Sequence, residues 1–389
     1  MYAWFLWDFN IPVILFSFIV TFIFIVVHKE YCQNNIKLLV PLFILLIFEL
    51  YTVRDEKIFS FISAILRAFI IGSVLFLNDD FKKKILSFIT NSVAILLLIS
   101  IVAWILFLIG VPLPHKYTTF QNGKYAYENY YFFLYNLKLQ VFFLPRFSSV
   151  FPEPGNLAIV TIALILANNF KVNNWSGLIL LMATFLSFSL AGYVLLLIAF
   201  IMHVIFFSKK PLRNSFFTLL AISVFVVFFK TYQSGQNPVN MLILERLKFE
   251  DNGIAGNNRT TFIFDEYFNK IVHSSDIITG IGAKAFASMY GVFGRGVAGI
   301  KVFMVMHGIL GVLLILLLYS IILIFYPTKS GLITVLTYFL FFYQNTYPLA
   351  EIFLIPLILS FPLYLKRKFE LHEKNKGSLY YSKRGPLGG

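Results

Sequence analysis

The most informative stretch of this 389-residue chain is Arg146-Phe147-Ser148-Ser149-Val150-Phe151-Pro152-Glu153-Pro154-Gly155-Asn156, which stands directly before an apolar run. A cation, a carboxylate and two prolines cannot lie against lipid, because hydrocarbon offers no partner for a charge or for freed backbone groups. The stretch must therefore line a cavity or face water. It marks the point where a polar loop turns into a membrane-spanning helix.

Composition around this stretch indicates a polytopic membrane protein. Hydrophobic residues make up 59% of the chain and charged residues only 13%, and mean hydropathy is +0.81. A soluble protein of this size exposes far more charge. The net charge of +14 follows from the preference of Lys and Arg for the cytoplasmic side and indicates no nucleic-acid partner. The single cysteine, Cys32, excludes an internal disulfide framework.

Apolar runs of roughly 17–25 residues predict an all-α protein with about eleven transmembrane helices, in a range of about ten to twelve. The runs lie near residues 9–27, 37–53, 57–77, 85–111, 156–169, 176–189, 191–208, 214–230, 301–325, 331–346 and 349–365. The apolar stretch over residues 177–207 is too long for one helix, and Gly192 offers a turn that splits it.

These helices predict a division into six segments. They are transmembrane helices 1 to 4 (residues 1–111), a first long loop (112–155), helices 5 to 8 (156–230), a second long loop (231–300), helices 9 to 11 (301–365) and a tail (366–389). Short segments dense in cations, such as Lys82-Lys83-Lys84, are expected in the cytoplasm. Both long loops are then exported, with the amino terminus outside and the carboxyl terminus inside.

The second long loop contains one clear amphipathic pattern. Thr260 to Val272 places Phe264, Tyr267, Phe268 and Ile271 at helical spacing. This predicts a helix that lies on the membrane surface or covers a site. The chain has no internal repeat, which argues against transporters built from paired halves.

Two polar residues inside apolar runs are candidate functional residues. Arg67 must face the bundle interior or a watery cavity, where one alternative is a pair with Glu49 of the neighbouring helix. His307 is either a packed neutral imidazole or a proton-transfer group.

Two further patterns bear on ligands. The aromatic run from Tyr125 to Phe133, and within it Tyr127 and Tyr130, either stacks on sugar rings or sits at the membrane interface. Asp79-Asp80 is the solvated start of a helix, and no other acidic or histidine cluster has metal-ligand spacing. A metal-independent reaction without a cofactor is therefore expected.

The opening stretch resembles the R-F-x-G/S-x-F-x-E-P-N pattern of Wzy-type O-antigen polymerases and related O-antigen ligases, with one inserted glycine before the asparagine. Asn258-Arg259, the amphipathic stretch and Ile278-Thr279-Gly280-Ile281-Gly282 are similar to the second large loop of that family. Residues 306–311 are similar to its G-x-x-G. Lys301 stands where ligases tend to carry a catalytic histidine, which favours a polymerase.

The resemblance implies a GT-C-like membrane glycosyltransferase of the bacterial inner membrane. A hydroxyl of one lipid-linked repeat unit attacks the anomeric carbon of another and expels undecaprenyl diphosphate. Donor and acceptor are both undecaprenyl-diphosphate-linked oligosaccharides within the membrane lipid, and a separate protein regulates chain length. The related ligase and, as a different class, a lipid-linked oligosaccharide flippase remain alternatives.

The same resemblance assigns roles to residues of this chain. Arg146 and Arg259, then Arg295 and Arg67, would hold the departing diphosphate, since a guanidinium grips phosphate oxygens bidentately and stays charged. Glu153 would be the general base, or would hold Arg146 in place by a salt bridge. His307 is a second candidate for proton transfer.

Overall fold

The structure is a computed structural model that describes residues 10–32, 36–120, 125–137, 145–237, 239–245, 248–250, 253–254, 261–289, 291–293, 297, 299–325, 328–344 and 351–360. The helices are α1 (Asn10–Val27), α2 (Leu39–Thr52), α3 (Ile58–Phe76), α4 (Asp79–Leu108), α5 (Pro154–Ala167), α6 (Trp175–Leu186), α7 (Leu190–Phe207), α8 (Pro211–Thr231), α9 (Phe262–Val272), α10 (Asp276–Thr279), α11 (Ala283–Met289), α12 (Ile300–Phe325), α13 (Lys329–Gln344) and α14 (Glu351–Ser360).

The chain is a largely helical polytopic membrane protein, and each apolar run noted above overlaps a helix within the described residues. Among the described residues, five helical stretches are long and apolar enough to cross a membrane. They are Ile58–Phe76, Asp79–Leu108, Leu190–Phe207, Pro211–Gly235 and Ile300–Ile324. Shorter apolar helices include Pro154–Ala167 and Trp175–Leu186. The count of eleven crossings and the six-segment division stay predictions.

Short strands in both long loops accompany the helices of this largely helical chain. The first long loop holds an antiparallel sheet of order β1-β2-β3, formed by β1 (Lys116–Phe120), β2 (Tyr125–Asn129) and β3 (Tyr135–Leu137). The second holds a two-stranded ribbon, β4 (Phe249–Glu250) and β5 (Gly253–Ile254). Polar loops outside the lipid have to pair their backbone groups, and short strands do this locally.

The break between α6 and α7 lies slightly earlier than Gly192. Phe188 takes a left-handed φ of 44°, and the Ser189 hydroxyl caps α7 by accepting from the Gly192 N–H at 3.2 Å. Gly192 itself permits close packing, because a Cβ there would lie 2.5 Å from the Cβ of Ala158 in α5. Gly192 therefore allows the close contact between α5 and α7 and does not form the turn.

Charged residues begin α4 as predicted, with one exception. The Asn78 side chain accepts from the Phe81 N–H at 2.8 Å, and Asp79 and Asp80 occupy the first turn, where the helix dipole favours anions. Lys82 is not a solvated cation, since it is 1% exposed and its Nζ donates to the Leu75 carbonyl at 3.1 Å.

The connections predicted to be cytoplasmic gather at one end of the bundle. A bridge between Cys32 and Leu77 joins the α1–α2 link to the α3–α4 turn. Lys329 at the start of α13 donates to the Phe206 carbonyl of α7 at 3.0 Å. At the opposite end, both long loops contact helix ends. Trp104 Nε1 of α4 donates to the Pro145 carbonyl of the first loop at 3.2 Å, and the α2–α3 turn contacts the second loop.

A main apolar core runs through the bundle around α5, which is almost entirely buried. A second, smaller core lies in the second long loop and packs against the start of α12. Its buried members are Phe264, Phe286, Phe293, Val297, Val302 and Val305.

Candidate functional site

The Arg146–Asn156 stretch forms a fixed turn between the sheet of the first long loop and α5. Phe147 is fully buried, its N–H donates to the Leu186 carbonyl at 3.2 Å, and its ring meets Trp104 edge-on at 5.8 Å. Ser149 adopts a left-handed φ of 52°, a strained conformation for a residue other than glycine. We call residues 146–156 the motif loop.

Hydrogen bonds to the sheet hold the motif loop in this conformation. The Tyr135 N–H donates to the Ser149 carbonyl at 3.0 Å, and the Ser148 hydroxyl donates to the Tyr135 carbonyl at 2.8 Å. The Tyr127 hydroxyl donates to the Pro152 carbonyl at 3.0 Å. These bonds satisfy backbone groups in a turn that has no helix or ladder of its own, and they tie the loop to the sheet at three points.

The two charged residues lie at either end of the non-helical part of the motif loop, residues 146–153. Arg146 is half-buried, and Glu153 is exposed as the N-cap residue of α5, with Pro154 in the first turn. The Glu153 carboxylate makes no capping bond, and within the described part of the chain no ion pair joins it to Arg146. The salt-bridge alternative for Glu153 is thus not formed, and its carboxylate is accessible from solvent.

Arg67 pairs with Glu49, one of the two alternatives left open by the sequence. Its Nη2 lies 3.0 Å from Oε2 of Glu49, which is only 5% exposed, in the contact between α2 and α3. Breaking a buried pair leaves an uncompensated charge in the membrane interior, so both partners are needed there. This contact gives Arg67 a structural role, and its diphosphate role stays a prediction.

Tyr127 and Tyr130 have little ring surface for a sugar in this arrangement. They are 2% and 6% exposed. Tyr127 meets Tyr135 edge-on at 5.9 Å, on the side of the sheet that faces the motif loop. The Tyr130 hydroxyl donates to Oε2 of Glu128 at 2.6 Å. Burial, together with that carboxylate, raises the pKa of Tyr130 far above its usual range. The phenol therefore stays a protonated donor.

His307 lies beside a break in α12. Gly308 has a φ of 65° and a ψ of −173°, a conformation that essentially only glycine adopts. A Cβ at Gly308 would lie 2.2 Å from the Ile278 carbonyl oxygen, and one at Gly280 would lie 2.4 Å from the Met306 carbonyl. The Thr279-Gly280-Ile281-Gly282 segment is thus packed backbone to backbone against α12.

This contact redirects the carbonyls of α12 that precede the break. In an uninterrupted helix they would accept from residues four positions later. Here the Val305 carbonyl accepts from the Ile281 N–H at 2.9 Å, and the Met306 carbonyl accepts from the Gly282 N–H at 3.0 Å. The His307 carbonyl accepts from the Tyr51 hydroxyl at 2.8 Å.

The turn between α2 and α3 completes the contact. The Tyr51 hydroxyl also contacts the Thr279 carbonyl at 2.9 Å. Arg54 stacks over the Tyr51 ring at 4.4 Å, and its Nη2 donates to the carbonyls of Thr279 and, at 3.1 Å, Gly280. We call this assembly of Tyr51, Arg54, Thr279–Gly282 and Met306–Gly308 the α12 latch. The sequence marked Gly280 and His307, but gave no signal for Arg54.

The His307 imidazole itself is packed rather than presented to solvent. It is 6% exposed, and its ring lies 4.7 Å from the Phe303 ring and 6.4 Å from the Tyr51 ring. This is the packed alternative left open by the sequence, and it leaves the proton-transfer role without a solvent-facing nitrogen in this conformation.

Lys301 is held in an ion pair with α9. Its Nζ lies 2.7 Å from Oδ1 of Asp265 and 5.4 Å from the Phe268 ring centre. The apolar face of α9 is the predicted one, but it packs on protein: Phe264 and Ile271 are buried, and Tyr267 and Phe268 contact the small core. The expectation that this face lies on the membrane surface is therefore corrected.

Arg259 and Arg295 lie outside the described residues, so their predicted diphosphate role stays a prediction. The nearest described residues on one side of each, Thr261 and Phe293, are joined by a hydrogen bond of 2.7 Å from the Thr261 hydroxyl to the Phe293 carbonyl. Among the described residues no cluster of three or more His, Cys, Asp or Glu side chains has metal-binding geometry.

No protein-family model, curated protein or solved structure matches this chain.

Proposed function

We propose that this chain is a metal-independent polysaccharide polymerase that transfers an undecaprenyl-diphosphate-linked glycan to a sugar hydroxyl of another lipid-linked repeat unit. The reaction takes place on the exported face of the inner membrane. The observation that carries the proposal is the motif loop, which holds an arginine and an exposed carboxylate at fixed positions where the long loops meet the helices.

The two charged ends of the motif loop suit the two halves of this reaction. The leaving diphosphate gains charge in the transition state, and a preplaced guanidinium such as Arg146 stabilises it without reorganisation. The attacking hydroxyl needs a base, worth typically ~10²–10⁴-fold in rate. Glu153 is exposed and makes no capping bond, so its carboxylate is available for that proton.

The ion pair of Lys301 supports polymerase over ligase. A ligase would be expected to place a catalytic side chain at this position, whereas Lys301 is bonded to Asp265 and positions α9. A cation held by a carboxylate at 2.7 Å is a poor candidate for a catalytic base.

Deletion of the gene, followed by lipopolysaccharide profiling, tests the proposal. The expected result is that the ladder of lipopolysaccharide bands disappears and that only core carrying one repeat unit remains. Glycan stranded on undecaprenyl would indicate a ligase instead, and a donor accumulating on the cytoplasmic side would indicate a flippase.

Complementation with variants then tests the roles within the motif loop. Arg146→Ala should abolish the ladder at normal protein level. Arg213→Ala is a matched control, because Arg213 is an exposed arginine at the start of α8, far along the chain, and should leave the ladder intact. Glu153→Gln should also lose polymer. A full-length ladder from Arg146→Ala would refute the diphosphate role.

A further inference from the structure

Three helix connections meet at the end of the bundle opposite the long loops. They are the α5–α6 link, the α7–α8 link and the first turn of α13. The Ser330 hydroxyl of α13 bonds to the Asn169 side chain of the α5–α6 link. Lys329 Nζ donates to the Phe206 carbonyl near the end of α7 at 3.0 Å. Side chains from the three connections are therefore neighbours on one surface.

These connections carry exposed lysines and no carboxylate. We call the exposed lysines the lysine patch, and they are Lys171, Lys209, Lys210 and Lys329. The sequence has no Asp or Glu over residues 154–244 or 277–350. Within the described part of the chain no ion pair engages any member of the patch. Like charges gathered in this way repel each other and favour an anionic ligand.

The acids that begin α4 lie too far along that helix to neutralise the patch. The Lys171 N–H donates to the Asn168 carbonyl at 3.2 Å, and Asn168 Nδ2 donates to the Thr90 hydroxyl of α4 at 2.9 Å. Asp80 precedes Thr90 by about 15 Å along the helix axis, at 1.5 Å per residue. The Debye length is about 8 Å at physiological ionic strength, so salt screens this interaction.

Apolar side chains are exposed beside the lysine patch. Ile205 and Phe207 lie in the last turn of α7, directly before Lys209. Trp175, the first residue of α6, follows Lys171 by one turn and is also exposed. Tryptophan is enriched where a membrane meets water. A ligand at this surface therefore meets cations and apolar side chains together.

We infer that the lysine patch binds the headgroup phosphate of an anionic phospholipid, whose acyl chains lie along the exposed side of α7. Basic surfaces between transmembrane helices select such headgroups. A free phosphate would pair with the lysines but leave the apolar side chains without a partner. A neutral phospholipid would do the reverse. The inference goes beyond the proposed function and does not depend on it.

The test is native mass spectrometry of the full chain in detergent with added phosphatidylglycerol, which gives the dissociation constant of the bound lipid. A cation near an anionic surface contributes about 1 kcal/mol, or about fivefold in affinity. Lys209→Gln with Lys329→Gln should therefore weaken binding about thirtyfold. Lys329→Gln retains an N–H donor for the Phe206 carbonyl, so the contact between α13 and α7 is preserved. Unchanged affinity overturns the inference.

Lys83→Gln is the matched control. Lys83 is exposed at the same end of the bundle, but it pairs with Asp80 at 4.0 Å and lies outside the patch. Its loss should leave the affinity unchanged, whereas a loss equal to that of the patch variant would indicate general charge attraction and overturn the inference. Lys209→Arg with Lys329→Arg should bind as the unchanged chain does, and failure of this pair to bind would also overturn it.

Two further ligands distinguish the source of the anion. Inorganic phosphate in excess should not displace phosphatidylglycerol, and full displacement would indicate a site for free phosphate instead. Phosphatidylethanolamine, whose headgroup has no net charge, should bind more weakly. Equal binding of the two lipids would mean that the lysines contribute nothing.

Fluorescence of Trp175 locates the lipid in a bilayer. Its emission is the difference between the unchanged chain and Trp175→Phe in nanodiscs. Phosphatidylglycerol brominated on its acyl chains should quench this emission more than brominated phosphatidylethanolamine at the same mole fraction. Replacement of Lys171 and Lys209 by Gln should remove that excess. Equal quenching by the two lipids in the unchanged chain would overturn the inference.

Discussion

The two long loops are held in place by different means. In the first, hydroxyl and backbone groups of a small sheet bond to the motif loop, with Tyr127, Ser148 and Tyr135 as the main partners. In the second, a small apolar core packs on α12, and the α12 latch bonds backbone to backbone through Gly280 and Gly308. The first loop therefore depends on side-chain hydrogen bonds, whereas the second depends on close approach that only glycine permits.

Gly308→Ala should give the largest effect and should be confined to the second loop. Its methyl group would clash with the Ile278 carbonyl at 2.2 Å and would force alanine into a glycine conformation. A loss of about 3 kcal/mol or more in loop stability is expected. Hydrogen exchange over residues 276–289, compared with 125–137, measures it.

Gly110→Ala is the matched control for that variant. Gly110 also has a positive φ, of 82°, but no atom lies within 4 Å of the added methyl group. Only backbone strain remains, at a cost of about 1 kcal/mol. Equal effects of the two substitutions would show that the packing between α10 and α12 contributes nothing to the stability of the second long loop.

Arg54→Met should loosen the second loop to a smaller degree. The substitution removes charge-assisted hydrogen bonds to the Thr279 and Gly280 carbonyls from a side chain that is 26% exposed. A loss of about 2 kcal/mol is expected, seen as faster exchange at residues 276–289. Lys57→Met, at an exposed cation of the same turn, is the control. Protection that survives Arg54→Met would exclude Arg54 from the latch.

Tyr127→Phe tests the first loop in the same way. It keeps the buried ring and removes the bond to the Pro152 carbonyl, at a cost of about 1 kcal/mol. Exchange should rise at residues 125–137 and not in the second loop. Tyr131→Phe, at an exposed ring of the same loop, should change nothing. A rise in the second loop would mean that the two loops are coupled.

Asp265→Asn should have the smallest effect. The Lys301–Asp265 pair is short, but its side chains are 44% and 38% exposed, so it contributes about 1 kcal/mol or less and weakens with salt. Thermal unfolding at low and high salt, with Glu266→Gln as the control, measures it. A large effect that is independent of salt would contradict this.

Length and periodicity predicted the long apolar helices and the apolar side of α9, but not the short helices α10 and α11. Phe264 and Ile271 recur at helical spacing and are both buried. The split near Gly192 was predicted within a few residues, although Ser187 to Ser189 make the turn. Apolar run length is a direct consequence of bilayer thickness, which is why these features can be read from one sequence.

The sheet and the latch were not predicted, for different reasons. Residues 125–129 alternate between the two faces of a sheet, but the strands are too short and polar for the alternation to stand out from an aromatic loop. Arg54 and Thr279 are 225 residues apart in the chain, and no local pattern links them. Arg67 with Glu49 was one of two alternatives, because a mid-helix charge needs either a ligand or a partner.

The interruption at Gly308 also bears on where the bilayer ends along α12. From Ile309 to Phe325 the uninterrupted part has about 17 residues, or about 25 Å at 1.5 Å per residue. That is slightly less than the hydrocarbon thickness of a typical membrane. The preceding two turns would then rise through the headgroup layer, where polyprenyl phosphates reside. Peptide carbonyls that leave the helical hydrogen-bond pattern are tolerable at that depth, so the protein can keep a non-helical joint at the water boundary without opening its interior to lipid.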